Sequence, residues 1–315
     1  MQGLVSGLPG IRTALPSPPQ YPYPSYALAT RVQTALQQDL LSWKAQQLHG
    51  PPTPPPPPTL LSFTPAPTYT LGRRQTSQPT GPELARLRAP LALESPSESP
   101  SAPVFFTPAV ASAPRGGLAT YHGPGQVVLW PVIDLRSPLH AHFTVREYAC
   151  LLEKTTIAAL GGNDEREGKK NKIAGFTTSN PGVWVRHRRR SRHHNEGEEE
   201  SEDDVEERKI AALGVHLRRH VTGLGVAINY ATPVSGPEAA NPWGRIVACG
   251  LSDKGVTSVR EEEGGGDGRL SRDAGDDEVA MRRLADAWAR EFARRLEMRH
   301  EGGDGSPGGG DHDLI

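Results

Sequence analysis

Three stretches of the chain carry an apolar residue at every third or fourth position, the spacing that places such residues on one face of a helix. The first runs from about Ala27 to Leu48, the second from Thr144 to Leu160, and the third ends near Leu296. Gly50 and the following PPTPPPPP run end the first predicted helix, because proline cannot continue it. The residues predicted to face the core are Leu28, Val32, Leu36, Leu40 and Trp43; Val145, Tyr148, Leu151, Leu152 and Ile157; and Ala280, Leu284, Trp288, Phe292 and Leu296.

Shorter apolar runs that are rich in β-branched residues predict strands. Gln126–Leu135 is predicted as a buried strand with a bulge or an edge position at Pro131, which lacks a backbone N–H. Thr59–Arg74 predicts a strand, a turn and a short strand. Strands mixed with a few helices, without a regular βαβ alternation, predict an α+β, or mixed α/β, fold. Three further strands are predicted at Gly182–Val185, Lys209–Leu217 and Gly225–Tyr230.

The segments between these elements are rich in proline, glycine or charge. The chain has 34 glycines and 31 prolines among 315 residues, about a fifth of the total, whereas an average protein has roughly 12%. We therefore expect one folded domain over residues 26–300, with a disordered extension or transit peptide over residues 1–25 and a disordered tail over residues 301–315. Flexible inserts within the domain are predicted near residues 49–58, 75–103, 186–207 and 261–275.

Charge and cysteine content exclude several classes of protein. The net charge is -1 and the basic residues form no unopposed patch, so nucleic acid is not expected as a partner. Two cysteines cannot build a disulfide framework, which favours a reducing compartment. No apolar run is long enough to predict a membrane span. The first 38 residues contain Arg12 and Arg31 but no Asp or Glu, which is typical of an organelle transit peptide; a plain disordered N-terminus is the alternative.

The stretch RGGLATYHGPGQ, Arg115–Gln126, carries the first candidate chemistry. Its glycines allow close approach of the backbone to a ligand, and successive N–H groups in such a turn can hold an anion or a carbonyl oxygen. Arg115 offers a cation and His122 a candidate proton carrier. A Gly/Pro-rich turn with an exposed histidine is the alternative, and the spacing matches neither of the usual glycine-rich phosphate fingerprints.

The two cysteines differ in sequence context. Cys150 lies beside Leu151 in the second predicted helix, which predicts a small core residue. Cys249 ends an apolar run directly before Gly250, where a strand gives way to a turn, and this exposure makes it a candidate nucleophile. The histidines lack the spaced Cys or carboxylate partners of a zinc site, so no metal is expected.

Five of these motifs occur together and in a fixed order. RGGLATYHGPGQ with its following strand, PGVWV, RKIAALGVHLRR, GVAIN and ACGLSDKGVTSV resemble the lipoyl(octanoyl) transferase family, the octanoyl-acyl carrier protein:protein N-octanoyltransferases. The resemblance covers about Tyr26 to Leu296, with PTYTLGRR and the opening helix similar to the N-terminal part of the family. It implies a single mixed-sheet domain flanked by helices, as in the biotin and lipoate protein ligases.

The resemblance also implies an activity. An octanoyl or lipoyl group would pass from acyl carrier protein to a cysteine of the enzyme, and then to a lysine of a lipoyl domain. The expected acceptors are the lipoyl domains of 2-oxoacid dehydrogenases and the glycine cleavage H protein, in mitochondria. The transfer would be the first step of endogenous protein lipoylation, and no cofactor, ATP or metal is implied.

Specific residues follow from the matched motifs. The nucleophile of the family falls on Cys249 and its partner lysine on Lys209. An adjacent ammonium would favour the thiolate, and the same lysine, once neutral, could accept the proton of the incoming amine. The sequence departs from the family pattern at Ala248, in place of proline, and at Leu224, in place of histidine. The implied acyl-binding residues are Arg115, Gly116, Gly117, Leu118, Ala119, Thr120, Tyr121, His122, Ala212, Leu213, Gly214, Gly225, Val226 and Ala227.

Three other functions compete with this one. An ATP-dependent lipoate or biotin protein ligase would have a similar fold, but it would need an adenylate-binding segment. A non-catalytic adaptor would use the proline runs for binding. A cysteine protease would need a His and an Asn or Asp in a recognisable relation to Cys249.

Overall fold

The structure, a computed structural model, describes residues 12–14, 23–48, 50–75, 77–93, 104–164, 169–170, 173–188, 205–246, 254–263 and 274–301. The helices are α1 (Tyr26–Gln46), α2 (Gly81–Arg88), α3 (Val145–Gly161), α4 (Val259–Glu262) and α5 (Ala274–Glu301). The first seven strands are β1 (Arg12–Ala14), β2 (Thr59–Phe63), β3 (Thr68–Leu71), β4 (Leu91–Leu93), β5 (Val104–Phe106), β6 (Ala109–Ser112) and β7 (Ala119–His122). The others are β8 (Gln126–Val132), β9 (Asn163–Asp164), β10 (Lys169–Lys170), β11 (Val183–Arg188), β12 (Val205–Arg218), β13 (Val221–Asn229) and β14 (Gly255–Val256).

A seven-stranded sheet forms the centre of the fold. Its strands follow the order β1-β2-β8-β13-β12-β11, and β14 pairs with β12. The β1–β2 and β12–β14 pairs are parallel, whereas the other pairs are antiparallel. A smaller sheet has the order β6-β3-β7. The predicted α+β fold, with a mixed sheet flanked by helices, is therefore confirmed.

The two faces of the central sheet pack against different helices. Side chains of α3 and α5, including Leu152 and Trp288, form one core with Leu129 and Ile228 of the sheet. Residues that alternate with these along the strands, such as Val128 and Trp130, form a second core with α1. All three periodic helices are confirmed, and Leu284, Trp288, Phe292 and Leu296 are buried as predicted.

The predicted inner face of α3 is correct in its centre and wrong at its start. A capping box of Thr144 and Glu147 begins the helix, and Val145, in its first turn, is 53% exposed. Cys150 is also exposed, so its prediction as a core residue is wrong. It lies two positions from the buried Tyr148, about 200° around the helix, and therefore faces solvent. The buried stripe consists of Tyr148, Leu151, Leu152, Thr155, Thr156 and Leu160.

The inner face of α1 is rotated from the predicted one. Tyr26, Ala29, Gln33 and Leu40 are buried, whereas Leu28, Val32, Leu36 and Trp43 are only half-buried. Polar side chains share this face because the sheet offers them partners: the Gln37 amide donates to the carbonyl oxygen of Thr222 at 3.0 Å.

Two predicted loops contain or contact regular structure. The prediction of a flexible loop over residues 75–103 is wrong for residues 81–93, where α2 and β4 lie. A capping box of Thr80 and Glu83, with proline in the first turn, begins α2. Thr53 in the proline run accepts a hydrogen bond from the indole of Trp43, so this run lies beside α1. The predicted disordered extension over residues 1–25 is wrong for residues 12–14, which form β1 and pair with β2. The insert predicted near residues 186–207 is shorter than expected, because its ends belong to β11 and β12. The rest of the predicted inserts and termini falls largely outside the described residues: 1–11, 15–22, 94–103, 189–204, 264–273 and 302–315.

Of the two positions predicted for Pro131, a bulge or an edge, the edge position is wrong, because Pro131 lies inside the sheet. β8 pairs with β2 on one side and with β13 on the other, and Pro131 lies opposite Leu60 of β2. The Thr222 hydroxyl bridges the two central strands: it donates to the Pro131 carbonyl at 2.8 Å and accepts from the Ile133 N–H at 3.0 Å. A side chain thus supplies part of the pairing that proline interrupts in this central position.

Candidate active site

A cleft opens on the α1 side of the central sheet. Strands β12 and β13 supply one wall, and the segment from Arg115 to His122, the start of α1 and Trp130 of β8 supply the other residues. Nine of the predicted acyl-binding and loop residues line it or lie in its wall. The lining residues are Tyr26, Arg115, Thr120, His122, Trp130, Ala212, Leu213, Gly214, Leu224, Gly225, Val226 and Ala227.

Small residues lie opposite one another on the two paired strands of this wall. Ala212 lies opposite Ala227, and Gly214 lies opposite Gly225, so four small side chains share this face of the sheet. A Cβ on Gly225 would come within 2.3 Å of the Leu129 carbonyl oxygen. On Gly214 it would come within 2.8 Å of the Arg115 Cδ atom. Glycine is therefore required at Gly225 for the close approach of β8.

The guanidinium of Arg115 holds the wall of the cleft together. Its Nη2 donates to the carbonyl and to the hydroxyl of Thr70, at 2.7 and 2.8 Å. Its Nη1 donates to the carbonyl oxygens of Gly116 and Leu118. A fixed planar fork of donors suits this set of acceptors, so Arg115 joins β3 to the glycine-rich loop. Gly117, with a φ of 80°, allows the turn on which these carbonyls converge.

His122 is buried and neutral. Burial and the nearby charge of Arg115 lower the pKa of His122 to about 3. Its Nδ1 lies 3.3 Å from the Gln126 side-chain oxygen, and its ring stacks on Tyr26 with centroids 5.6 Å apart. The Gln126 amide nitrogen is already directed to Tyr121 and Asn229. His122 therefore donates through Nδ1 and leaves Nε2 as an acceptor.

A chain of hydrogen bonds connects His122 with the strand of Lys209. Gln126 donates to the Asn229 side-chain oxygen at 2.8 Å, and Asn229 donates to the Thr257 carbonyl at 3.0 Å. The Thr257 N–H in turn donates to the Lys209 carbonyl at 3.0 Å. These buried polar groups fix the positions of β8, β13 and β12 relative to the segment that follows β14.

Lys209 is only 7% exposed. Its ammonium donates to the Pro181 carbonyl at 3.1 Å and lies 4.7 Å from the centre of the Trp184 ring. The Lys254 ammonium lies 5.0 Å from the same ring. Two cations therefore share one aromatic ring, an arrangement stabilised by the negative face of the π system.

Glu153 supports the backbone that receives Lys209. Its carboxylate accepts a hydrogen bond from the N–H of Gly182 at 3.0 Å, next to the Pro181 carbonyl. Gly182 has a φ of 125°, where a side chain would be strained, and a Cβ there would come within 2.6 Å of the Ala211 carbonyl oxygen. Burial raises the pKa of Glu153 above its ordinary value. The Gly182 hydrogen bond and the Lys209 charge act in the opposite direction but do not cancel this effect.

The remaining predicted site residues have other positions. Tyr121 is fully buried in a separate cluster, against Tyr69 and Trp243. Gly116, Gly117, Leu118 and Ala119 form the loop and the first residue of β7 that precede the cleft residue Thr120. Cys249 lies outside the described residues, between Ile246 and Lys254 in sequence.

Three cleft residues were not predicted from the sequence. Tyr26 lies directly before the predicted start of the first helix, and its aromatic ring gave no sign of a ligand site. Trp130 lies in an apolar run that indicates a core strand. Leu224 lies in β13, where alternation alone would direct it to the other face.

Neither a metal site nor a membrane span is found in the parts of the chain that the structure describes. Within those ranges, His, Cys, Asp and Glu side chains do not gather in groups of three that could hold a metal ion. None of the described helices combines the length and the apolar character needed to cross a membrane.

Comparison with known proteins places these features in a family. The lipoyl protein ligase A/B catalytic domain matches residues 30–292. This range contains every cleft residue except Tyr26 and also contains Lys209 and Cys249.

Individual relatives narrow the assignment. A Schizosaccharomyces pombe protein named "Probable octanoyltransferase" is 31% identical over 76% of this chain and 83% of its own length. The Danio rerio octanoyl-(acyl-carrier-protein):protein N-octanoyltransferase LIPT2, mitochondrial, is 32% identical over 74% of this chain and 77% of its own. Octanoyltransferase LIP2, mitochondrial, of Arabidopsis thaliana is 34% identical over 65% of each chain. The chain therefore belongs to the octanoyltransferases of the lipoyl protein ligase A/B catalytic-domain family.

Proposed function

We propose that this enzyme moves an octanoyl or lipoyl group from acyl carrier protein to a lysine of a lipoyl domain, through a thioester on Cys249. The observation that carries the proposal is the cleft, whose wall of β12 and β13 consists largely of small and apolar residues, in a member of the octanoyltransferase family. The accepting proteins would be the lipoyl domains of 2-oxoacid dehydrogenases and the glycine cleavage H protein. Relatives named as mitochondrial support a mitochondrial location for this chain.

The cleft would bind the hydrocarbon part of the acyl group. The small side chains of Ala212 and Ala227 leave room in the strand wall of the cleft, and each methylene that leaves water contributes about 0.8 kcal/mol. His122 is neutral at physiological pH, so no charge from it opposes an apolar chain. Its free Nε2 is an acceptor rather than a source of an acidic proton, which assigns it a positioning role in this scheme.

The first step would form the acyl-enzyme. The Cys249 thiolate attacks the carbonyl carbon of the octanoyl thioester, a new C–S bond forms, and acyl carrier protein leaves as its thiol after taking up a proton. Lys209 is a buried cation on the strand that pairs with β14, and Lys254, five residues after Cys249, shares the Trp184 ring with it. A positive group near a cysteine favours the thiolate.

The second step would form the product amide. The ε-amino nitrogen of the acceptor lysine attacks the Cys249 thioester, the C–S bond breaks, and the thiolate is regenerated. The nitrogen loses one proton in this step, and Lys209 in its neutral form is the proposed acceptor of that proton. The hydrogen bond from Lys209 to Pro181 holds the amine in one orientation for this transfer.

Intact-protein mass spectrometry after incubation with octanoyl-acyl carrier protein tests the scheme. The wild type should gain one octanoyl group that hydroxylamine removes, and Cys249→Ala should not gain it. Cys150→Ala is the matched control, because it removes the exposed cysteine of α3 and should leave the adduct unchanged. An adduct that persists in Cys249→Ala would disprove the assigned nucleophile.

A ligase reaction is the second candidate, because the matching family model includes lipoyl protein ligases. Free octanoate with ATP, in the absence of an acyl carrier, distinguishes the two. The transferase should leave the lipoyl domain unmodified under these conditions, whereas octanoylation of the domain would favour a ligase.

A further inference from the structure

Leu224 interrupts the regular alternation of β13. Val226 and Ile228, two and four residues further along, pack in the core with α3 and α5. Alternation would place Leu224 on the same face, because strand side chains repeat every second residue. Leu224 instead packs in the other core, with Tyr26, Trp130 and Ala227.

The backbone of Leu224 explains the change of face. Its φ is 61°, in the left-handed region that residues other than glycine rarely occupy. Continuing the Val226–Leu129 pair by two residues places Leu224 opposite Pro131, which has no N–H to donate. The neighbouring Gly225 lies so close to β8 that a Cβ would come within 3.0 Å of the Pro131 Cδ atom.

The turned side chain enters the cleft. Leu224 lines it together with Gly214, Gly225 and Trp130, and only 5% of the leucine remains exposed. Its isobutyl group is thus a large aliphatic group beside a wall of glycine and alanine. The space available to a ligand at this point depends on the size of this side chain.

We propose that Leu224 limits the length of the hydrocarbon chain that the cleft accepts. This proposal rests on the acyl-binding role of the cleft given above, and it assigns a chain-length determinant to that site. Replacing leucine by glycine removes a four-carbon side chain, which makes space for about two to three methylenes of a ligand. Each additional buried methylene strengthens binding about fourfold.

Binding and transfer are measured separately with saturated chains of six to fourteen carbons. Free fatty acids are titrated by calorimetry, and the matching acyl-acyl carrier proteins are used in transfer to a lipoyl domain. For Leu224→Gly, the ratio of affinity for the twelve-carbon acid to that for the eight-carbon acid should rise about tenfold or more. Leu224→Phe should shift the preference towards six carbons.

Leu217→Ala is the control. Leu217 is a partly buried leucine of β12 that packs on the α3 and α5 side of the sheet. Its loss removes a similar volume away from the cleft and should leave the chain-length profile unchanged. Glycine at position 224 also accommodates the positive φ, so Leu224→Gly is expected to fold.

The two readouts separate the proposals. A shift of the binding profile without transfer from any acyl carrier protein would support the role of Leu224 and overturn the proposed reaction. Transfer with an identical profile in the wild type, Leu224→Gly and Leu224→Phe would overturn the role of Leu224. A shift of equal size in Leu217→Ala would also overturn it, since the effect would then come from general loosening of the sheet.

Discussion

The ammonium of Lys209 lies 4.7 Å from the centre of the Trp184 ring and donates a hydrogen bond to the carbonyl of Pro181. Pro181 lies just before β11 and Trp184 lies within it, so the pairing of β11 with β12 positions the amine. The Trp184 indole also donates to the Asn180 carbonyl, which fixes the ring. The lysine is therefore held in place before any substrate binds, as its proposed role in proton transfer requires.

Replacing Lys209 by methionine tests this assignment. Methionine preserves the apolar contact with Trp184 but removes the charge and the proton acceptor. We expect the rate of octanoyl transfer to fall by about 10²–10⁴-fold, the contribution typical of a positioned acid or base. The melting temperature should change little, because methionine fills a similar volume. Lys154→Met, at an exposed position of α3, is the matched control and should retain the activity.

The depressed pKa of His122 predicts that stability falls in acid. The folded state holds His122 neutral down to a pKa of about 3, whereas the unfolded chain protonates it near its ordinary value of 6.5. Stability from this group is therefore present above pH 6.5 and is lost as the pH falls towards 3. Between pH 7.5 and pH 5, the free energy of unfolding should drop by about 2 kcal/mol through His122.

Urea denaturation of His122→Asn at these two pH values measures the effect. The variant should lose less stability on acidification than the wild type, although it is less stable at pH 7.5. His142→Asn, at an exposed position, is the control and should lose as much stability as the wild type between the two pH values. An equal loss of stability in the wild type and His122→Asn would exclude a buried neutral histidine.

Elements with strong periodicity were predictable from the sequence. The spacing of Leu284, Trp288 and Phe292 predicted α5 because a helix returns to the same face every three to four residues. By contrast, α2 was missed, since its surrounding segment is rich in proline and serine and only the Thr80 and Glu83 pair indicates a helix start.

The site was predictable only where it follows local motifs. The resemblance named Arg115, Gly214 and Gly225, and all three line the cleft. The hydrogen bond between Gln126 and Asn229 joins residues 103 positions apart, and no local pattern reports such a contact. The orientation of the Leu224 side chain could not be predicted for another reason. Alternation assumes an extended backbone, and no sequence pattern indicates a positive φ at a leucine.

Two glycines of the site should differ sharply in their tolerance of alanine. A Cβ on Gly225 would come within 2.3 Å of a carbonyl oxygen of β8, and backbone cannot move aside cheaply, whereas a Cβ on Gly116 would meet nothing within 4 Å. Gly225→Ala should therefore lower the free energy of unfolding by about 1–3 kcal/mol or more. Gly116→Ala should leave it within about 0.5 kcal/mol of the wild type. Similar melting temperatures for the two variants would contradict the close contact between β8 and β13.

Arg115→Lys tests whether the guanidinium acts as a structural clamp. Arginine satisfies four acceptors on Thr70, Gly116 and Leu118 at once, and the point charge of lysine cannot reproduce that planar fork. Loss of charge-assisted hydrogen bonds in a buried site predicts a decrease of about 1.5–3 kcal/mol in the free energy of unfolding.

Amide hydrogen exchange should show which part of the structure is loosened in Arg115→Lys. Protection should be lost in the loop before β7 and at Arg73, whose N–H donates to the Arg115 carbonyl. The exposed Arg31→Lys in α1 should change neither stability nor exchange. If Arg115→Lys lowered transfer activity but left exchange and stability unchanged, the guanidinium would act on the substrate rather than on the loop.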